Sequence, residues 1–119
     1  FKEAGYEVVL ASPTGGPVPI DASSMGGNHF NDDCKKFMHD KEAMGALSHS
    51  VKLDSVDLSS VDAIFFCGGH GTCVDFVEDV SIKSAIETLY ESDKVVAAVC
   101  HGPNCLPQCT KKDGSPLVK

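Results

Sequence analysis

The chain sets short, nearly unbroken apolar runs apart with longer polar stretches. Three runs stand out: Tyr-Glu-Val-Val-Leu-Ala at residues 6–11, Ala-Ile-Phe-Phe-Cys at 63–67 and Val-Val-Ala-Ala-Val at 95–99. Runs this short, rich in β-branched or aromatic residues and closed by Gly or Pro, predict strands buried on both faces. Between the second and third, Val80, Ile82, Ala85, Ile86, Leu89 and Tyr90 recur at helical spacing. That pattern predicts a helix over 80–91 with one broad core-facing stripe. Residues 1–5 read as the last turn of a helix ended by Gly5.

The stretch between the first two strands is more polar. Residues 18–31 form a long Gly-rich loop with Pro19, Gly26 and Gly27, and loops of that length are usually functional or mobile. Asp32 and Asp33 are placed to cap a helix over 34–39, and a second helical piece covers 41–48. Residues 53–61 read as a connector with turns at Asp54 and Asp57. Beyond the third strand a short helical pattern covers 104–108, where Pro107 is tolerable only in a first turn. Residues 111–114 make a turn and 115–119 open a strand or hairpin. Strand, helix, strand, helix is the order of an α/β protein whose strands run parallel between helical layers. Functional loops in such sheets gather at the carboxyl ends of the strands.

Two motifs fall at those ends. The strand at 63–67 runs into Gly68-Gly69-His70-Gly71, whose glycines let backbone approach a ligand closely. Asp75 then caps or braces the following turn. The strand at 95–99 runs into Cys100-His101-Gly102-Pro103, a strand, a sharp turn and a helix with a thiol at the corner. This is the layout of a nucleophile elbow with sulfur in place of oxygen. A Cys at the mouth of a helix faces unpaired N–H groups and the positive end of the helix dipole, both of which favour the thiolate. His101 is placed to hold or relay a proton, and the N–H that follows the nucleophile suits a developing oxyanion. The competing reading makes Cys100 one more small buried hydrophobe.

Composition narrows the options. With 119 residues there is room for one small domain, read as a single unit over 1–119. A net charge of −7 without any block of Lys or Arg argues against nucleic acid or an anionic membrane surface as partner. The six cysteines, at 34, 67, 73, 100, 105 and 109, form no zinc-type C-x2-C pair. They read as reduced thiols of a cytoplasmic protein rather than a disulfide framework. Cys105 and Cys109, four apart, are expected to pack together. His29, His39 and His49 are spaced by ten, which fits no metal site on one helix, and they read as solvated surface.

Cys67-Gly68-Gly69-His70-Gly71, a helix, then Ala98-Val99-Cys100-His101-Gly102-Pro103 resembles the ThiJ/PfpI superfamily, relatives of the class I glutamine amidotransferases. With Asp75, Ala11-Ser12-Pro13 and Pro19-Ile20-Asp21 added, the chain looks most like its glyoxalase III branch. Members of that branch are glutathione-independent glyoxalases, also described as D-lactate dehydratase-like lyases and stress chaperones. The resemblance implies a three-layer flavodoxin-like α/β sandwich with a mainly parallel sheet, here incomplete at both ends. It implies Cys100 as nucleophile with His101 beside it, the Gly69 and His101 N–H groups as oxyanion hole, and Gly68 and His70 lining the pocket. It calls for no metal or organic cofactor, an α-oxoaldehyde as substrate and a possible homodimer. The carboxylate of the family has no counterpart here, and Asn104-Cys105 replaces the usual small apolar residues. Other readings of the same cysteine are an amidohydrolase or peptidase, a redox-sensing or chaperone-like protein, and an inactive truncated copy.

Overall fold

A computed structural model describes residues 1–119 and divides into two compact units, residues 1–52 and 53–119. In the first, a 3-10 turn Lys2–Ala4 ends at Gly5, whose φ of 88° lets its N–H turn back to the Lys2 carbonyl. The run at 6–11 does not form the buried strand expected. Only Ala11–Ser12 (β1) pairs, in parallel, with Val51–Lys52 (β2), and Tyr6, Val8 and Val9 are exposed. A run of β-formers becomes a strand only where a partner strand accepts its N–H and C=O groups, and here the partner meets its end alone.

Between β1 and β2 lie Asp32–His39 (α1) and Lys41–Ser48 (α2). The cap of α1 is Asn31, not Asp32 or Asp33. The Asn31 side chain accepts the Cys34 N–H at 3.0 Å, and the two aspartates occupy the first turn, where the dipole favours them. Asp40 caps α2 through the N–H groups of Glu42 and Ala43, which hold its carboxyl below the usual carboxylate range. The loop at 18–31 winds into 3-10 turns Ala22–Met25 and Gly27–His29. Together with α1 it lines an open cavity of about 470 Å³ walled by Ile20, Met25, Phe30, Phe37, Met38 and Leu47. His29, His39 and His49 are exposed as expected, and the last two turn Nδ1 onto the carbonyls of Lys35 and Gly45.

The second unit carries the βαβ core. Ala63–Phe66 (β3) leads to a short helix Thr72–Asp75 (α3), then Val80–Glu91 (α4), then Val95–Ala98 (β4), which pairs in parallel with β3 from Ala63↔Val95 to Phe66↔Ala98. Asp75 closes α3; the cap of α4 is Asp79, whose carboxylate accepts the Ile82 N–H at 2.9 Å. Ile82, Ala85, Ile86 and Leu89 are buried at i, i+3, i+4, i+7 spacing, while Val80 and Tyr90 lie off that stripe and are exposed. Ile82, Ala85 and Ile86 form the main cluster with Leu53, Phe66, Cys105 and Cys109, and Ile64, Val96 and Ala98 pack against it.

The strands are half covered rather than buried on both faces: Phe65, Val95 and Val99 are exposed, and so is Cys67. The helix α4 shields one side of a two-stranded ladder, and alternate residues point away from it. After β4 the chain forms a 3-10 helix, Gly102–Gln108, longer than expected. Pro107 lies well inside it, not in a first turn. The 3-10 winding sheds the i to i−4 ladder with which a proline clashes in an α-helix. Cys105 and Cys109 are buried, their thiols donating to the Gly102 and Cys105 carbonyls. Thr110 bridges Pro116 antiparallel around Gly114, the hairpin anticipated at the C-terminal end.

Candidate active site

The register of β3 and β4 fixes the site. Because Phe66 pairs with Ala98, the loops that follow the two strands run side by side. A Cβ placed on Gly68 would lie 2.5 Å from the Cys100 Cβ, 2.9 Å from the Val99 carbonyl oxygen and 3.2 Å from the His101 nitrogen. A Cβ on Gly102 would strike the Phe66 and Cys67 carbonyls. The two glycines thus interlock the loops from opposite sides, and no side chain fits at either. The two motifs singled out in the sequence meet here.

Cys100 has φ 57°, a left-handed conformation rare outside glycine. A side chain held there costs of order 1–3 kcal/mol and persists only where surrounding structure imposes it. The imposing contacts are the ladder bond from the Val99 N–H to the Phe66 carbonyl at 3.2 Å and the Gly102 N–H to the Val99 carbonyl at 2.8 Å. The turn throws the Cys100 side chain outward, and its Sγ is 3.3 Å from His101 Nδ1. The His101 ring in turn meets the His70 ring at 5.2 Å between centroids, inclined by 61°. Cys100, His101 and His70 therefore form one exposed group. A thiol, a ring nitrogen within proton-transfer reach and a second imidazole suit nucleophilic addition with local proton movement.

The two residues expected to donate their N–H groups lie in the same pair of loops. Gly69, at φ 104°, sits one residue beyond the contact between Gly68 and the His101 nitrogen. Neither the Gly69 nor the His101 N–H donates to a backbone or side-chain acceptor.

Sequence reasoning did not single out Thr72, and it saw Asn104 only as a departure from the family pattern. The buried Thr72 hydroxyl lies 2.9 Å from the Gly69 carbonyl and 3.2 Å from the His101 carbonyl, and Asn104 Nδ2 donates to it at 3.2 Å. The signal was faint: a threonine opening a helix after four glycine-rich positions also reads as an ordinary first-turn residue. The other cysteines are free, and no His, Cys, Asp and Glu cluster fit for a metal forms.

A strand–turn–helix corner presenting an exposed thiol, on parallel strands crossed by a helix, defines an α/β protein of the cysteine-elbow class. The sequence model of the DJ-1/PfpI family matches residues 1–111, and the chain belongs to that family. It is 33% identical to Glyoxalase 3 of Candida albicans over 122 residues, all of this chain and 51% of that protein. It is 30% identical to a glutathione-independent glyoxalase of Saccharomyces cerevisiae, again over all of this chain and 51% of the other. A protein/nucleic acid deglycase of Pseudomonas aeruginosa is 28% identical over 89% of this chain and 37% of its own length.

Among solved structures, glyoxalase III from Candida albicans matches with a TM-score of 0.88 at 32% identity, over 100% of this chain and 51% of that one. The Francisella tularensis Rapid Encystment Protein matches at 0.80 and 31%, over 88% and 46%. The parallel strands and flanking helices are those of this flavodoxin-like fold. The chain spans about half the length of the curated relatives it matches. No helix is long and apolar enough to cross a membrane.

Proposed function

We propose that this chain carries the nucleophile-bearing part of a glutathione-independent glyoxalase that converts methylglyoxal to D-lactate. The observation that carries the reading is Cys100 in its left-handed turn, with Sγ 3.3 Å from His101 Nδ1, packed against Gly68 of the glycine-rich loop. The names of the Candida and Saccharomyces relatives support it. In this scheme the Cys100 thiolate adds to the aldehyde carbon, forming a C–S bond while the carbonyl electron pair moves to oxygen. The Gly69 and His101 N–H groups stabilise that oxygen until it is protonated to the hemithioacetal. A base takes the proton from the former aldehyde carbon and returns it to the neighbouring carbon through an enediol, leaving a thioester. Water then attacks the thioester, giving lactate and restoring the thiol. His101 moves protons at Sγ and His70 lines the pocket against it. The scheme requires neither glutathione nor metal.

The test is D-lactate formation from methylglyoxal without glutathione, by the purified chain and by Cys100→Ala. Lactate from the first and none from the second supports the reading. No lactate from the first, nor from a version extended at both ends to the length of its relatives, overturns it. Rapid oxidation of Cys100 by low peroxide in a chain without turnover would favour the redox-sensing alternative.

A further inference from the structure

The geometry points to Thr72 as the positioning residue of this site. Its hydroxyl clasps the Gly69–His70 peptide to the Cys100 elbow and so holds the two oxyanion donors at one spacing. The inference rests on the glyoxalase reading for its catalytic consequence, but its structural content stands apart from it.

Gly69 is the weakest point of the site, since a glycine at φ 104° has no side chain to limit its rotation. Its carbonyl receives the Thr72 N–H at 3.4 Å and the Thr72 hydroxyl at 2.9 Å. The hydroxyl also lies 3.2 Å from the His101 carbonyl, which receives the Asn104 N–H at 3.1 Å. Asn104 Nδ2 fills an acceptor site on the same oxygen at 3.2 Å. A hydroxyl has one proton and two lone pairs, so this proton is shared between two carbonyls, one on each loop. Those carbonyls belong to the two residues proposed above as oxyanion donors. Holding a carbonyl fixes the peptide plane on one side of that residue's Cα and so narrows the φ and ψ range through which its own N–H, on the other side, swings.

The clasp is buried, with Thr72 only 6% exposed, so water does not replace it. Asn104 stands where small apolar residues are usual in the family that the sequence resembles. Its amide makes the threonine oxygen an acceptor and leaves the hydroxyl proton for the carbonyls.

The variants are Thr72→Val, which keeps the shape and loses the hydroxyl, and Thr72→Ser, which keeps the hydroxyl. Amide hydrogen exchange of the whole chain is read by NMR. In Thr72→Val, exchange is expected to rise about tenfold at both 68–72 and 100–104, with α4 unchanged, and Thr72→Ser is expected to restore it. Turnover of methylglyoxal is expected to fall about tenfold in kcat with KM within twofold, because a donor displaced by a fraction of an ångström acts on the transition state. The rate of Cys100 alkylation by iodoacetamide should stay within twofold, since the thiol itself is untouched. Exchange unchanged at 100–104, or raised equally in α4, overturns the inference. If Thr72→Val does not fold, Asn104→Ala reads the same coupling, with a severalfold rise expected at 68–72, a loop distant in sequence, and no rise there overturning it. Absence of lactate from both the chain and a version extended to the length of its relatives sinks the glyoxalase reading alone, and the exchange pattern still decides the clasp.

Discussion

Gly68 lies directly against the Cys100 side chain, so closely that a Cβ at 68 would fall 2.5 Å from the Cβ of Cys100. The carbonyl of Val99 and the nitrogen of His101 close the same space at 2.9 and 3.2 Å, and two of these three neighbours are backbone that cannot swing aside. Gly68→Ala is therefore expected to push the elbow off its turn. The stability cost is about 1–3 kcal/mol, the usual range for overpacking, and lactate formation should fall with it. Urea unfolding checks the first effect and methylglyoxal turnover the second. An alanine variant with wild-type values of both would show that the loops are not interlocked.

Strain at the nucleophile gives a second expectation. Cys100 pays for a left-handed backbone at φ 57°, which glycine adopts freely. Cys100→Gly should stabilise the chain by about 1 kcal/mol while abolishing turnover, whereas Cys100→Ala should abolish turnover without that gain. Comparing the two by chemical denaturation isolates the backbone term from the loss of sulfur. Equal stability of the two variants would mean that the turn carries no strain.

The elbow stands on the face of α4. Ile86 is fully buried within the cluster that includes Phe66 and Cys105, residues from the strand before the glycine loop and the helix after the thiol. Ile86→Ala should cost about 2–5 kcal/mol, and Val80→Ala, at an exposed position, less than about 0.5. Urea midpoints measured on both variants check the contrast.

The parts of the chain legible from sequence were those decided locally. The α4 stripe, the Gly5 stop and the Cys100 turn each follow from residues within one or two turns of one another, and all are present. The run at 6–11 has strand composition as strong as residues 95–98, yet only its end pairs, because pairing depends on what the rest of the chain supplies. Asn31 and Asp79 won the caps from neighbouring aspartates by one to four positions, each accepting the N–H three residues further on. The Cys100 and His101 pair was visible because the two are adjacent in sequence. The Thr72 hydroxyl joins positions 29 residues apart, and no local pattern announces it.

Alkaline pH offers the last test. Burial, with Cys105 and Glu87 adding to it, pushes the Cys109 thiol up from 9.0 to about 11, and burial raises Cys105 as well. Below about pH 9 the thiol is protonated in both folded and unfolded chains and contributes no pH dependence. From about 9 to 11 the unfolded chain gives up the proton while the folded one keeps it, so stability falls as pH rises, by on the order of 2 kcal/mol for Cys109. Above about 11 both states are ionised and this contribution to the slope ends. Cys109→Ala lowers stability at neutral pH by opening a small void, yet its stability should decline less steeply over that interval. Urea midpoints taken at half-unit steps from pH 8 to 11 for both chains measure the two slopes, and parallel curves would show that the Cys109 thiol ionises as readily folded as unfolded.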